Sequence, residues 1–198
     1  RKDSLYCDRA DGLRRRAART LLDDLFSCLT AWFAPILCFS AEEAWLHRFS
    51  SESDSVHLRQ FPEIPAAWRD SALAAKWEHV RAVRRVITGA LEIERREKRI
   101  GSSLQACPTV YVDGVHRAAL DRLDVGEIAI TSGATLAQGT PPNGAFVLAD
   151  VAGVAVLPDM APGTKCQRCW QVLPEVGSRA DHGDLCRRCD DAVAARAA

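Results

Sequence analysis

Lys165-Cys166-Gln167-Arg168-Cys169-Trp170, answered across a sixteen-residue excursion by Cys186-Arg187-Arg188-Cys189, is the most informative stretch of this 198-residue chain. Each Cys-x-x-Cys turn lets two sulfurs face one point. The excursion is long enough to bring the second turn opposite the first, so four thiolates can surround one tetrahedral Zn2+ at about 2.3 Å each. Such a closed shell leaves no position for water or substrate, which marks a structural rather than a catalytic metal. A tail of roughly 35 residues cannot otherwise build an adequate core, so its folding is expected to depend on the ion. The competing reading, a redox dithiol, needs only one pair. His182 lies close to Cys186, but with four thiolates completing the shell it is expected to be a surface loop residue.

The residues around the turns carry the next expectation. Trp170 follows the first turn directly, where a large aromatic either packs over the metal knuckle or is offered to an unstacked nucleotide base. Lys165, Arg168, Arg187 and Arg188 flank the same turns. They form either a solvated rim or the phosphate contacts that accompany base stacking.

Upstream, apolar residues recur at Leu13, Ala17, Leu21, Leu25, Leu29, Trp32 and Phe33. This spacing predicts one long amphipathic helix with an apolar stripe beside Arg14, Arg15, Arg16 and Arg19. Pro35 interrupts it, and Ser40-Ala41-Glu42-Glu43 reads as a capping box opening a second helix through Trp45 and Leu46. Residues 50–65 are polar and then proline-bearing, which predicts a surface connection. Leu73, Trp77, Val80, Val83, Ile87, Ala90 and Leu91 mark a third and longest helix running into the charged stretch Glu92–Arg99. After Gly101-Ser102-Ser103 the pattern changes. Thr109–Val112 is β-rich, Val115–Leu123 short and helical, and Glu127–Thr131 and Ala145–Leu157 are read as extended. Residues 139–144 form a turn-rich loop, and residues 158–163 a linker. The expected class is therefore mainly α: an antiparallel helical bundle over residues 1–100, a small α+β unit over 101–160, and a four-cysteine zinc finger over 161–198.

Composition narrows the classes. With 47% hydrophobic and 26% charged residues the chain is an ordinary globular one, and no run approaches the roughly 18 apolar residues of a membrane span. No membrane role is expected. Cys7, Cys28, Cys38 and Cys107 are scattered rather than paired, which points to a reducing, cytoplasmic compartment, with Cys28 and Cys38 as small buried hydrophobes. Net charge is zero but uneven: residues 1–100 hold 18 Lys/Arg against 15 Asp/Glu, residues 101–160 hold 2 against 6, and the tail 6 against 5. The helical part and the tail are thus the expected polyanion-facing surfaces. The basic runs Arg14–Arg16, Arg81 with Arg84 and Arg85, and Arg95–Arg99 either pair with neighbouring carboxylates or track a nucleic-acid backbone. A start at Arg1, with Met160 the only methionine, gives the expectation of a fragment.

Several segments together resemble the C-terminal part of bacterial isoleucyl-tRNA synthetases. Lys2-Asp3-Ser4-Leu5-Tyr6-Cys7, Leu13-Arg14-Arg15-Arg16-Ala17-Ala18 and the block Ala34–Trp45 are similar to the helical anticodon-binding domain of that family. Ala90–Leu104 is similar to the passage leaving it, and the two Cys-x-x-Cys turns with Trp170 to its terminal finger. Valyl and methionyl enzymes share the helical domain; the Cys-x-x-Cys-Trp finger favours isoleucyl. The resemblance implies a monomeric parent ligase that joins isoleucine to its tRNA, with ATP and Mg2+ handled only in its catalytic domain. Neither the His-Ile-Gly-His nor the Lys-Met-Ser-Lys-Ser signature of that domain occurs in this sequence, so no catalytic residue is expected. It implies zinc on Cys166, Cys169, Cys186 and Cys189, and RNA contact by Trp170 and by basic side chains, for which Lys165, Arg168, Arg187, Arg188, Arg95 and Arg96 are the candidates. Two rivals remain. A DNA repair glycosylase carries a finger of similar spacing, and a zinc ribbon can serve as a protein-interaction module.

Overall fold

The computed structural model describes residues 2–49 and 53–197; Ser50, Ser51 and Glu52 of the expected surface connection lie outside the described residues. The chain divides into two compact units, one comprising the residues up to Arg69 with the stretch from Ala192, the other Asp70–Asp191.

The first unit is helical: α1 (Lys2–Cys7), α2 (Leu13–Phe33) and α3 (Cys38–Arg48). Its core gathers around Trp45, buried with Ala34, Ala41 and Val56 and flanked by Phe26 and Leu46. Trp45 stacks on Phe26 at 6.1 Å and lies 4.2 Å from Phe49. Its indole N–H donates to the Asp54 carbonyl at 2.5 Å, so the large ring is buried without an orphaned donor. Arg59 closes the other side of the ring, its guanidinium 4.1 Å from the centroid and donating to the Ser27 carbonyl and hydroxyl at 3.1 and 2.8 Å.

Three local expectations fail in this unit. The α3 helix begins at Cys38, before the expected cap, because the backbone of Leu37 already accepts from Ala41. No side chain caps the start of α3, and the carboxylate beside the expected Glu43, Glu42, instead accepts the Val56 amide at 2.8 Å and pins the following turn. Cys38 is exposed, whereas Cys28 is buried as expected. The predicted α2 stripe is also not the buried face. Leu21, Leu25, Leu29, Trp32 and Phe33 are exposed, and Ala18, Cys28, Thr30 and Ala31 are the buried residues.

The second unit is built on α4 (Ser71–Arg96), capped by Asp70, whose carboxylate accepts the Leu73 amide at 2.8 Å. Its apolar face, Val80, Val83, Val86, Ile87, Ala90 and Leu91, is almost wholly excluded from solvent. That face packs on a four-stranded sheet formed by β1 (Thr109–Val112), β2 (Thr135–Ala137), β3 (Phe146–Leu148) and β4 (Val151–Leu157) in the order β2-β1-β4-β3. β1 pairs parallel with β2 and antiparallel with β4, and β3 pairs antiparallel with β4. The parallel pair is reached through two short helices, α5 (Gly114–Ala119) and α6 (Val125–Ala129). The segment read as extended, Glu127–Thr131, is therefore a helical turn. Asp124 caps it by accepting the Glu127 amide at 3.0 Å, and Ile130 ends it in the left-handed conformation.

The α4 face sets the stability of this unit. Ile87 is 0% exposed, and truncating a fully buried isoleucine costs both transfer energy and a cavity. Ile87→Ala is expected to destabilise the unit by about 2–5 kcal/mol, and Ile87→Val by about 0.5–1.5 kcal/mol. Equilibrium urea unfolding followed by circular dichroism checks both.

Candidate metal centre and nucleic-acid surface

The C-terminal part of the second unit brings the two cysteine turns together. The first turn caps a hairpin of β5 (Thr164–Lys165) and β6 (Val172–Leu173), whose strands pair Thr164 with Leu173 and Lys165 with Val172. The Cys166 amide donates to the Gln171 carbonyl at 2.8 Å and the Trp170 amide to the Cys166 carbonyl at 2.9 Å, so the chain doubles back around the sulfurs. The second turn sits at the start of α7 (Arg187–Ala197), with Cys186 just before it and Cys189 in its first turn.

All four cysteines are buried and their sulfurs lie within 4.8 Å of one another. A tetrahedron with bonds of about 2.3 Å has edges of about 3.8 Å, and the Cys169 and Cys186 sulfurs are 3.8 Å apart. The Cys186 amide donates to the Cys166 sulfur at 3.3 Å, tying the second turn to the first. Hydrogen bonds from Cys186 and Cys189 hold the Cys169 thiol far below its ordinary range. The same contacts to Cys169 push Cys186 up to about 11 and Cys189 higher still. A cluster of sulfurs this close resists accumulating negative charge unless a cation shares it. The donor set and its spacing thus suit a thiophilic divalent ion in a closed site.

Sequence reasoning missed the residues that hold the excursion in place. Asp190, buried in the first turn of α7, accepts from the His182 ring nitrogen at 2.7 Å and lies 3.5 Å from Arg179, which also reaches Asp191 at 3.3 Å. His182 thus sits in the loop and outside the sulfur cluster, but it ties the loop to the helix. Nothing in the spacing reveals this, because the contact joins a loop tip to a helix start through side chains alone. The Gln167 amide adds a bond to the Asp184 carbonyl at 3.0 Å, joining the two turns.

Trp170 adopts φ +68°, a left-handed conformation uncommon outside glycine and asparagine. The turn between Cys166 and Gln171 imposes it, and it leaves the indole 60% exposed. Lys165 places its ammonium 5.4 Å from the centroid of that ring. Arg168 lies within the first turn, and Arg187 and Arg188 within the second. Arg95 and Arg96 stand apart from this group on the last turn of α4, where Arg95 pairs with Glu92 at 2.7 Å. Other α4 arginines are similarly engaged: Arg81 with Glu78, and Arg85 with Asp150. Among the described residues no helix is long and apolar enough to cross a membrane.

Two family models match this arrangement. Residues 1–111 match the anticodon-binding domain of tRNA ligase, and residues 163–192 match a zinc finger found in FPG and IleRS. The chain belongs to the family of anticodon-binding domains of tRNA ligases. Among curated relatives, it is similar to the isoleucine–tRNA ligases of Ruegeria pomeroyi, with 54% identity over 194 residues, and Agrobacterium fabrum, with 51% over 197. That of Bartonella henselae is 49% identical over 197 residues. These alignments cover 98–99% of this chain but 20% of each relative, so the chain spans about a fifth of their length.

The hairpin carrying the first turn tolerates no side chain at its entry. Gly163 has φ +108°, and a Cβ there would lie 2.3 Å from the Leu173 carbonyl carbon. Gly163→Ala is expected to force the strands apart, at a cost of about 1–3 kcal/mol in backbone strain. Thiol alkylation rates of Cys166 and Cys169, read by mass spectrometry, should rise while the helical content of α4 is retained.

Proposed function

We propose that this chain is the tRNA-gripping part of an isoleucine–tRNA ligase, holding the anticodon end so that a catalytic region elsewhere in the polypeptide can ligate isoleucine. ATP and Mg2+ belong to that region. The assignment of isoleucine rests on the names of the relatives, and the protein acts as a cytoplasmic monomer. The single observation that carries the RNA role is the placement of Trp170: a large ring exposed on the first cysteine turn, with the Lys165 ammonium over it and basic residues on both turns. An anticodon loop offers splayed bases, which stack on such rings, and phosphates, which meet such cations. Lys165, Arg168, Arg187 and Arg188 supply the cations beside the ring, and Arg95 and Arg96 supply further ones at the end of α4.

In this reading Cys166, Cys169, Cys186 and Cys189 hold one structural zinc, whose charge replaces the thiol protons and locks the two turns together. The protein residues do the rest: the cysteines fix the knuckle, and Asp190 with Arg179 and His182 fixes the loop. A damaged-DNA-binding finger of the glycosylase kind would account for residues 163–192 but leaves the match over residues 1–111 without a role. A protein-interaction ribbon leaves the same half unexplained.

Two measurements test this. Reduced, folded protein should contain one equivalent of zinc, and Cys186→Ser should lose it and disorder the hairpin while leaving the α4 core intact; metal analysis and amide exchange read the two effects. Trp170→Ala should weaken binding of isoleucine-specific tRNA by about 1–3 kcal/mol, the worth of one base stack. Titrations at one fixed salt concentration decide it, since phosphate contacts change with salt, and an unchanged Kd removes Trp170 from the RNA surface.

A further inference from the structure

The hairpin that carries Trp170 is hung from the α/β part of its unit by a serine. Ser132, in the loop between α6 and β2, has partners on three backbone positions. Its amide donates to the Ala106 carbonyl at 3.1 Å, its hydroxyl donates to the Leu104 carbonyl, and the same oxygen accepts the Val172 amide of β6 at 2.7 Å. A hydroxyl can donate and accept at once, so one short side chain bridges two backbone segments that share no sheet.

Both ends of this bridge lead to residues assigned above to the RNA surface. Leu104 lies in a short helical turn, Ser103–Gln105, closed by a reciprocal capping box. The Ser102 hydroxyl accepts the Leu104 amide at 3.3 Å, and the Gln105 side-chain oxygen accepts the Gly101 and Ser102 amides at 2.6 and 3.2 Å. That turn follows directly on α4, where the Arg99 and Ile100 amides donate to the Glu94 carbonyl at 2.9 and 3.4 Å. The backbone from Arg95 and Arg96 to Leu104 is thus held by hydrogen bonds along its course. At the other end, Val172 is the register partner of Lys165 and lies two residues after Trp170. Its amide points out of the hairpin to Ser132, so the serine holds the strand position from which both the ring and the ammonium 5.4 Å from its centroid are set.

We propose that Ser132 is a positioning residue for RNA binding: its hydroxyl fixes where the Lys165–Trp170 pair stands relative to the basic end of α4, so that both engage one RNA. The inference rests on the tRNA reading and adds to it the joint that makes one surface of two elements. The serine needs no contact with RNA to act. A hairpin already seated loses little freedom when a base stacks on its ring, whereas an unseated one must be ordered at the expense of affinity.

The test uses the full-length polypeptide and isoleucine-specific tRNA at one salt concentration. Ser132→Ala should speed amide exchange in the peptide covering residues 171–174 by about tenfold or more while zinc stays at one equivalent. It should also weaken tRNA binding by about five- to tenfold, as for loss of one hydrogen-bonded joint. Ser132→Thr keeps the hydroxyl and should return both readings to within about twofold of the native values. In the Ser132→Ala background, Trp170→Ala should weaken binding by less than about threefold further, because a ring no longer held in place contributes little. Fully additive losses would show that Ser132 acts elsewhere and would overturn the proposal. So would unchanged exchange, or loss of zinc or of α4 helicity, which would make the serine a residue of the fold alone. If Trp170→Ala weakens binding and Ser132→Ala does not, the tRNA reading stands and this inference falls. If Trp170→Ala alone leaves the Kd unchanged, the RNA role of the ring fails and takes this inference with it.

Discussion

The burial of one face of α4 against the small sheet is the contact on which the second unit depends. Val80, Val83, Val86 and Ile87 are at most 1% exposed, and they meet Val110 and Val156, both 0% exposed, from the sheet. Without that layer the sheet would be four short strands with one uncovered apolar face, which is not a stable object in water. The layer also seats the cysteine hairpin. Ser132, in the loop before β2, accepts the Val172 amide at 2.7 Å and donates to the Leu104 carbonyl. Cys107 and Ala161 exchange further backbone bonds with Asp159 and Gln105 at 2.9 and 2.8 Å. Two-residue strands such as β5 and β6 cannot persist alone, so the hairpin borrows its order from the sheet on one side and from its sulfurs on the other.

What the sequence revealed follows from which signals are local. The spans of α2 and α4 were legible, because apolar spacing near 3.6 residues persists through each. The partner of α4 was not, since periodicity names a buried face but never what lies against it. The four-cysteine cluster was legible because spacing alone constrains it. Glu127–Thr131 misled because its isoleucines alternate like a strand. The better signal was Asp124-Val125-Gly126-Glu127, where a capping carboxylate precedes a glutamate by three residues and wins over β propensity. The left-handed Trp170 had no local signature, because the turn geometry imposed by Cys166 and Gln171 decides it rather than any preference of tryptophan.

The arginines show how structure divides residues that composition lumps together. Arg81, Arg85 and Arg95 on α4, and Arg99 just beyond its end, each pair with a nearby carboxylate. Such surface pairs contribute about 0–1 kcal/mol, so a phosphate of comparable geometry can replace the carboxylate at little cost. The Glu94 carboxyl is nevertheless held below its ordinary range by hydrogen bonds from Arg99, which keeps that pair formed to more acidic pH than an unpaired glutamate would allow. Charge in this region is therefore committed but exchangeable, whereas the Lys165 ammonium is positioned over an exposed ring.

Trp170 is exposed apolar surface of small extent. Trp170 is one ring on a turn whose backbone is held by the bond from its amide to the Cys166 carbonyl, so little backbone freedom remains to be lost when a planar group stacks on it. An isolated exposed aromatic of this kind costs a soluble protein little and matches a ligand the size of a base.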